Sequence, residues 1–208
     1  MPINPIELLG PALLLAAVAV TLVPSKRLLI RGFAAVCGGA TIFITVATKI
    51  GPMSIGPTTV GEYFLGTFGP VSAASLVIIG SYLYKKIIGE KYQTSHALLL
   101  CLTAVGVVFY PLTFGLSNFD PYELGYRGFS IPGLMFAFVV IGWVTRSVDV
   151  LCWIALAALL YAFGAYDSNN LWDYLIFPLD PIYAIVVLAI GIKRSYRRSS
   201  EAQDQLVS

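Results

Sequence analysis

Ten side chains offer this sequence its best prospect of chemistry: Glu62, Asp120, Tyr122, Glu123, Tyr126, Arg127, Asp167, Trp172, Asp173 and Asp180. All lie between apolar segments or at their ends. Carboxylates set among aromatic rings can hold a cation, a sugar or a lipid headgroup through cation–π contact and hydrogen bonds. Arg127 stands alone among these acids. It can pair with one of them or hold an anion such as phosphate. The plainer reading of the same residues is an aromatic belt where a helix bundle meets a membrane interface. Asp120-Pro121 opens a turn and Gly125 permits a positive φ, so residues 120–127 read as a compact cap.

Asp180 precedes Pro181, which suits an N-cap followed by proline at the first helical position. Pro178 and Pro181 interrupt an otherwise apolar stretch there. Broken helices at membrane depth carry ion or substrate sites in transporters, and ionisable residues within spans are functional suspects. The competing reading is an ordinary helix cap. A further pair, Arg146 and Asp149, is three residues apart at the start of an apolar segment and is expected to form a structural ion pair.

Known chemical signatures are missing. The chain has no Gly-x-Ser-x-Gly elbow, P-loop or His-Glu-x-x-His motif. Cys37, Cys101 and Cys152 each fall in an apolar segment and read as small apolar fillers, and His96 is the lone histidine. No metal and no cofactor is expected.

The elements that must position these residues follow from composition. Of 208 residues, 58% are hydrophobic and only 12% charged, with a mean hydropathy of +0.82. Soluble domains carry about 25% charged residues, so an apolar solvent is implied. Seven apolar segments can be drawn: 6–23, 32–48, one ending at 84 that begins between 63 and 70, 97–116, 129–145, 148–165 and 174–192. Each approaches the roughly 17–25 helical residues that span a bilayer. Pro111 should kink or end the fourth. The seventh reads as a short continuous helix from Pro181, preceded by an extended stretch and a short interfacial helix over 170–177. The first segment resembles no signal peptide, since Met1 to Pro11 carries Glu7 and no cation.

Eleven of the 13 Lys and Arg residues fall in alternate loops, at 26, 27 and 31, at 85, 86 and 91, at 146, and at 193, 194, 197 and 198. Only Lys49 and Arg127 lie on the other side. Cytoplasmic loops retain cations, so the expected orientation is N-out and C-in. The net charge of +2 carries no nucleic-acid logic.

The expectation is therefore an all-α polytopic bundle of seven spans, or six plus a partial, broken seventh. Residues 1–194 form one transmembrane domain and 195–208 a disordered polar cytoplasmic tail. The expected setting is a cell membrane, of the bacterial inner-membrane kind, with the lipid bilayer and other membrane subunits as partners. The leading function is a non-catalytic accessory or sensor subunit. A small-solute or ion transporter using the broken seventh helix is the first alternative. An enzyme acting on lipid headgroups at the outer leaflet is the second.

The orientation has a direct test. A reporter active only in the cytoplasm, fused after Ser208, should be active. A stably inserted but inactive fusion refutes the topology.

Overall fold

Each apolar segment forms a helix over all or part of its length in the computed structural model, which describes residues 6–23, 27–50, 53–126 and 130–207. Seven helices carry the apolar segments: α1 (Leu9–Leu22), α2 (Leu28–Ala40), α4 (Ala73–Ile88), α5 (His96–Pro111), α6 (Ser130–Val144), α7 (Val148–Ala162) and α9 (Leu179–Val207). Two shorter helices, α3 (Val60–Phe68) and α8 (Leu171–Leu175), lie in the connections. The protein is mostly helical, and the all-α expectation holds. Its one departure is a two-stranded antiparallel hairpin of β1 (Thr45–Ile50) and β2 (Met53–Thr59), with Thr45 opposite Thr59 and Thr48 opposite Ile55. Among the described residues one helical stretch, His96–Leu116, is long and apolar enough to cross a membrane; the other apolar helices are shorter.

Segment two is corrected most. A helix over 32–48 was expected, but α2 stops at Ala40 and passes through a 3₁₀ turn into β1. Gly38-Gly39 weakens the helix at that point, and the Thr45, Val46, Thr48 run prefers extended backbone. The expected long loop over 51–68 contains β2 and α3 instead. Segment three begins later than drawn: Gly69-Pro70 separates α3 from α4, and Ser72 is the N-cap of α4, its Oγ accepting from Ser75 N–H. Pro111 acts as expected, since the α-helical register ends there and residues Leu112–Leu116 follow in a π turn. Where a disordered tail was expected from Ser195, α9 continues to Val207.

α4 is the wall shared by two cores. On one side Ala16, Ala17 and Val20 of α1 pack with Leu83 of α4. On the other side Ala73, Ala74 and Ile78 of α4 meet Leu98 and Leu102 of α5, Trp153 of α7 and Leu175 of α8. α5 and α9 lie so close that a Cβ on Gly106 would come within 2.2 Å of Pro181 Cβ. Glycine is required there by approach alone.

One end of the bundle is basic and the other acidic. At the basic end the N-caps of α5 and α7 join, Ser95 Oγ to Ser147 Oγ at 2.7 Å, and Asp149 Oδ2 accepts from Ser95 N–H at 3.0 Å. The expected Arg146–Asp149 ion pair is therefore absent. Arg146 instead has φ of 52° and turns the chain out of α6, with Ser147 N–H reaching back to Gly142 O at 2.8 Å. Asp149 serves a neighbouring helix start, and Arg146 is exposed. The left-handed conformation of Arg146 takes it out of the helical spacing on which the pair was expected.

Gly106→Ala should destabilise the protein by about 1–3 kcal/mol through overpacking against Pro181. Gly80→Ala, whose Cβ meets nothing within 4 Å, should be neutral or slightly stabilising. Denaturation in detergent, followed by circular dichroism, checks both. Equal effects would refute the close α5–α9 packing.

Candidate functional site at the acidic end

The acidic end is built around α8 and the loop before it. Asn170, fully buried, caps α8 by accepting from Trp172 N–H at 3.0 Å and donates from Nδ2 to Tyr122 O at 3.0 Å. A Cβ on Gly125 would fall 1.7 Å from Asn170 Oδ1. Gly125 is therefore needed for close approach, not for the positive φ that its turn position suggested. Trp172 Nε1 donates to Pro121 O at 2.9 Å, and its ring lies 4.4 Å from that of Phe109. These bonds clamp the 3₁₀ turn Pro121–Tyr126 onto α8.

Asp173 ties the two segments together. It accepts from Tyr122 Oη at 3.0 Å and from Ser168 Oγ at 2.5 Å. Burial holds the Tyr122 hydroxyl well above its ordinary range, and the Tyr126 hydrogen bond and the Asp173 charge add to the shift. Tyr166 and Tyr174 stack at 4.7 Å. Tyr174 Oη donates to Tyr166 O at 2.9 Å, and Tyr166 Oη to Val71 O at 2.6 Å. Burial raises both hydroxyls; Tyr174 and Glu7 add to the shift of Tyr166, whereas at Tyr174 the bond to the Tyr166 backbone offsets part of the rise and Asp173 adds to it. A cleft of about 340 Å³ opens above this layer, lined by Glu7, Asp167, Asp173, Phe177 and Pro178 among others. A second, of about 200 Å³, lies between Tyr110, Phe114, Tyr122 and Trp172.

Beneath the clefts sits Asp180, only 3% exposed. Its Oδ2 accepts from Ser72 Oγ at 2.6 Å and from Phe177 N–H at 2.8 Å, while Oδ1 accepts from Ser75 Oγ. Asp180 is not the N-cap that was expected. α9 begins at Leu179, and the carboxylate reaches back to Phe177 and across to α4. The Phe177 N–H, just ahead of the helix, is thus satisfied by the Asp180 side chain, and the Phe177 carbonyl by the Asp180 N–H at 2.9 Å. Among the described residues the one salt bridge is Lys85–Glu90, at the other end. Among the described residues Asp180 has no cation partner.

The ten sequence candidates divide. Asp167, Asp173, Tyr122, Tyr126 and Trp172 come together, with Asp180 below them. Asp120 only closes its own turn, accepting from Tyr122 N–H at 2.9 Å, and Glu123 is exposed. Glu62 lies elsewhere, in a capping box with Thr59 at the start of α3. Arg127, and with it the expected clamp, lies outside the described residues. Sequence reasoning missed Ser72, Ser75, Ser168, Asn170 and Glu7 as members of the site. Serine and asparagine carry no charge signal, and Ser72-Ala73-Ala74-Ser75 reads as a stripe of small residues. The described residues hold no group of three or more His, Cys, Asp or Glu that could bind a metal.

No family model matches the chain, and no curated protein and no solved structure does either.

The raised tyrosines have a signed consequence. A neutral group whose folded pKa is lifted contributes stability that is complete below its unfolded value, about 10. That contribution is lost as pH rises through the folded value. Ultraviolet difference spectra should show Tyr122, Tyr166 and Tyr174 ionising after the exposed tyrosines, with loss of the cap. Tyr122→Phe should remove one late titration and cost about 1 kcal/mol. Tyrosines that all titrate together near the free value would refute the buried layer.

Proposed function

We propose that the chain is a multi-pass membrane protein and that it works as a non-catalytic accessory or sensor subunit. The membrane setting is supported by what the helices leave uncovered. Leu29, Phe33 and Val36 of α2 are at least 72% exposed, as are Trp143 and Val144 of α6. Val107 and Val108 of α5 and Ile182 and Val186 of α9 are half or more exposed. Contiguous apolar faces of this kind mark a lipid or partner surface. On this reading the seven helices that carry the apolar segments are seven spans, N-out and C-in by the alternation of cations, in a membrane of the bacterial inner-membrane kind.

The observation that carries the subunit reading is the filled axis of the bundle. Leu98, Leu102, Trp153 and Leu175 are at most 1% exposed, and Gly106 is closed by Pro181. Both clefts lie at the acidic end. A closed core with a built acidic cap suits a protein that holds or reads something at one face. The enzyme reading has less support, because Asp173 and Asp120 are engaged in holding their own loops. The transporter reading keeps one favourable observation, the buried carboxylate of Asp180, which has no cation partner among the described residues.

Reconstitution separates the readings. Vesicles holding the purified chain should keep a pH gradient, and trapped small solutes, as long as empty vesicles do. In mild detergent the native protein should elute with a second membrane protein in fixed ratio. Gradient collapse or solute loss that Asp180→Asn abolishes would replace the subunit reading with transport.

A further inference from the structure

We propose that Asp180, Ser72 and Ser75 form a site that binds and releases one proton delivered from the acidic cleft. The inference deepens the sensor reading by naming what that face reads, and rests on that reading only for its setting.

The geometry begins with an uncompensated group. A buried carboxylate held only by neutral donors is costly when ionised, whereas a buried charge is normally paired with a cation or bound to a metal. Here the donors are two hydroxyls and one amide. Among the described residues, the titratable groups at this level of the surrounding elements are Tyr110 of α5, Asp173 of α8, Tyr183 of α9, and Glu7 and Tyr166 at the cleft above, and none of these is a cation. Lys85 and Lys86 of α4 lie about 15 Å further along the helix from Ser75, at 1.5 Å per residue.

The same cluster can satisfy both states. With Asp180 ionised, both serines donate to it. With Asp180 protonated, its O–H can donate to a serine oxygen, because a hydroxyl both gives and accepts. Ser72 Oγ already accepts from Ser75 N–H at 3.2 Å. Ser75 is therefore the one that reverses, turning its own hydrogen toward the preceding turn of α4. The proton comes from water in the cleft and returns to it, and no bond but O–H forms or breaks.

The site fits a proton better than a metal cation. A cation such as Ca²⁺ takes six to eight oxygens, and even Mg²⁺ needs six. This cluster presents one carboxylate and two hydroxyls, each hydroxyl hydrogen aimed at the carboxylate. Access runs past Phe177 and Pro178, which line the larger cleft and immediately precede α9. Ionisation or protonation would change how tightly α9 is held to α4, so the site is also where a sensor would couple.

Infrared difference spectroscopy of the full chain in vesicles, across a pH series, tests this. The expected result is a protonated-carboxyl band that titrates and is absent from Asp180→Asn. Ser75→Ala keeps the carboxyl and removes a donor to its ionised form, and should raise proton affinity about tenfold or more. Isotope-labelled aspartate assigns the band in the wild-type protein if Asp180→Asn does not assemble. No titrating band from Asp180, or a midpoint indifferent to Ser75→Ala, overturns the proposal. So does a midpoint that moves with sodium concentration, which would make the site a cation site. A subunit reading that fails for want of a partner would leave the titration untouched, so the two failures are distinguishable.

Discussion

The structure depends on one buried carboxylate. Asp180 joins α9 to α4 through Ser72 and Ser75 and closes the backbone at Phe177 in the same stroke. α9 cannot be packed elsewhere without stranding that group, and an unsatisfied buried carboxylate costs far more than the bonds it makes. Proline shapes the same start. Pro178 and Pro181 lack backbone donors that the first turn of a helix does not use, and Pro181 also fills the notch at Gly106 on α5. Three helices are therefore registered against one another by a few residues at one level.

Above that level the construction changes from apolar to polar. α8 is five residues long and has no stability of its own. It is held by side-chain bonds: Asn170 to the Tyr122 carbonyl, Trp172 to the Pro121 carbonyl, Asp173 to Tyr122 and Ser168. Trp153 of α7 reaches up and donates to Leu175 O at 2.8 Å, joining the cap to the core. Tyr166, bonded to Val71 O, stands next to the N-cap of α4. The cap and the Asp180 cluster thus meet at adjacent residues, Val71 and Ser72.

Much of the helical plan was legible because hydrophobic runs and breaker residues act locally. α5, α6 and α7 begin within a residue of where the sequence places them, and α8 lies inside the interval assigned to a short helix. The hairpin was not legible: β1 continues the apolar run of segment two, which hydropathy alone reads as helix, and β2, with Ser54, Gly56 and Pro57, reads as loop. The Arg146–Asp149 pair failed for a different reason. Spacing in sequence treats both residues as helical, whereas Arg146 adopts a left-handed turn conformation. At the site, charge and aromatic character pointed to Asp173, Tyr122, Trp172 and Asp180. The partners that hold them are serines and an asparagine, whose roles come from tertiary placement that no local pattern records.

α9 is continuous from Leu179 to Val207, 29 residues, or about 43 Å at 1.5 Å per residue. It is held from Asp180 to Leu188, and Lys193, Arg194 and Arg197 follow from its midpoint onward. A rigid rod held over one part of its length works as a lever. A tilt of about 5° at the Asp180 end displaces the other tip by about 3–4 Å over that length. A rearrangement of a single hydrogen bond at one face is thus magnified into a movement of side-chain size at the opposite face, with nothing but helix in between.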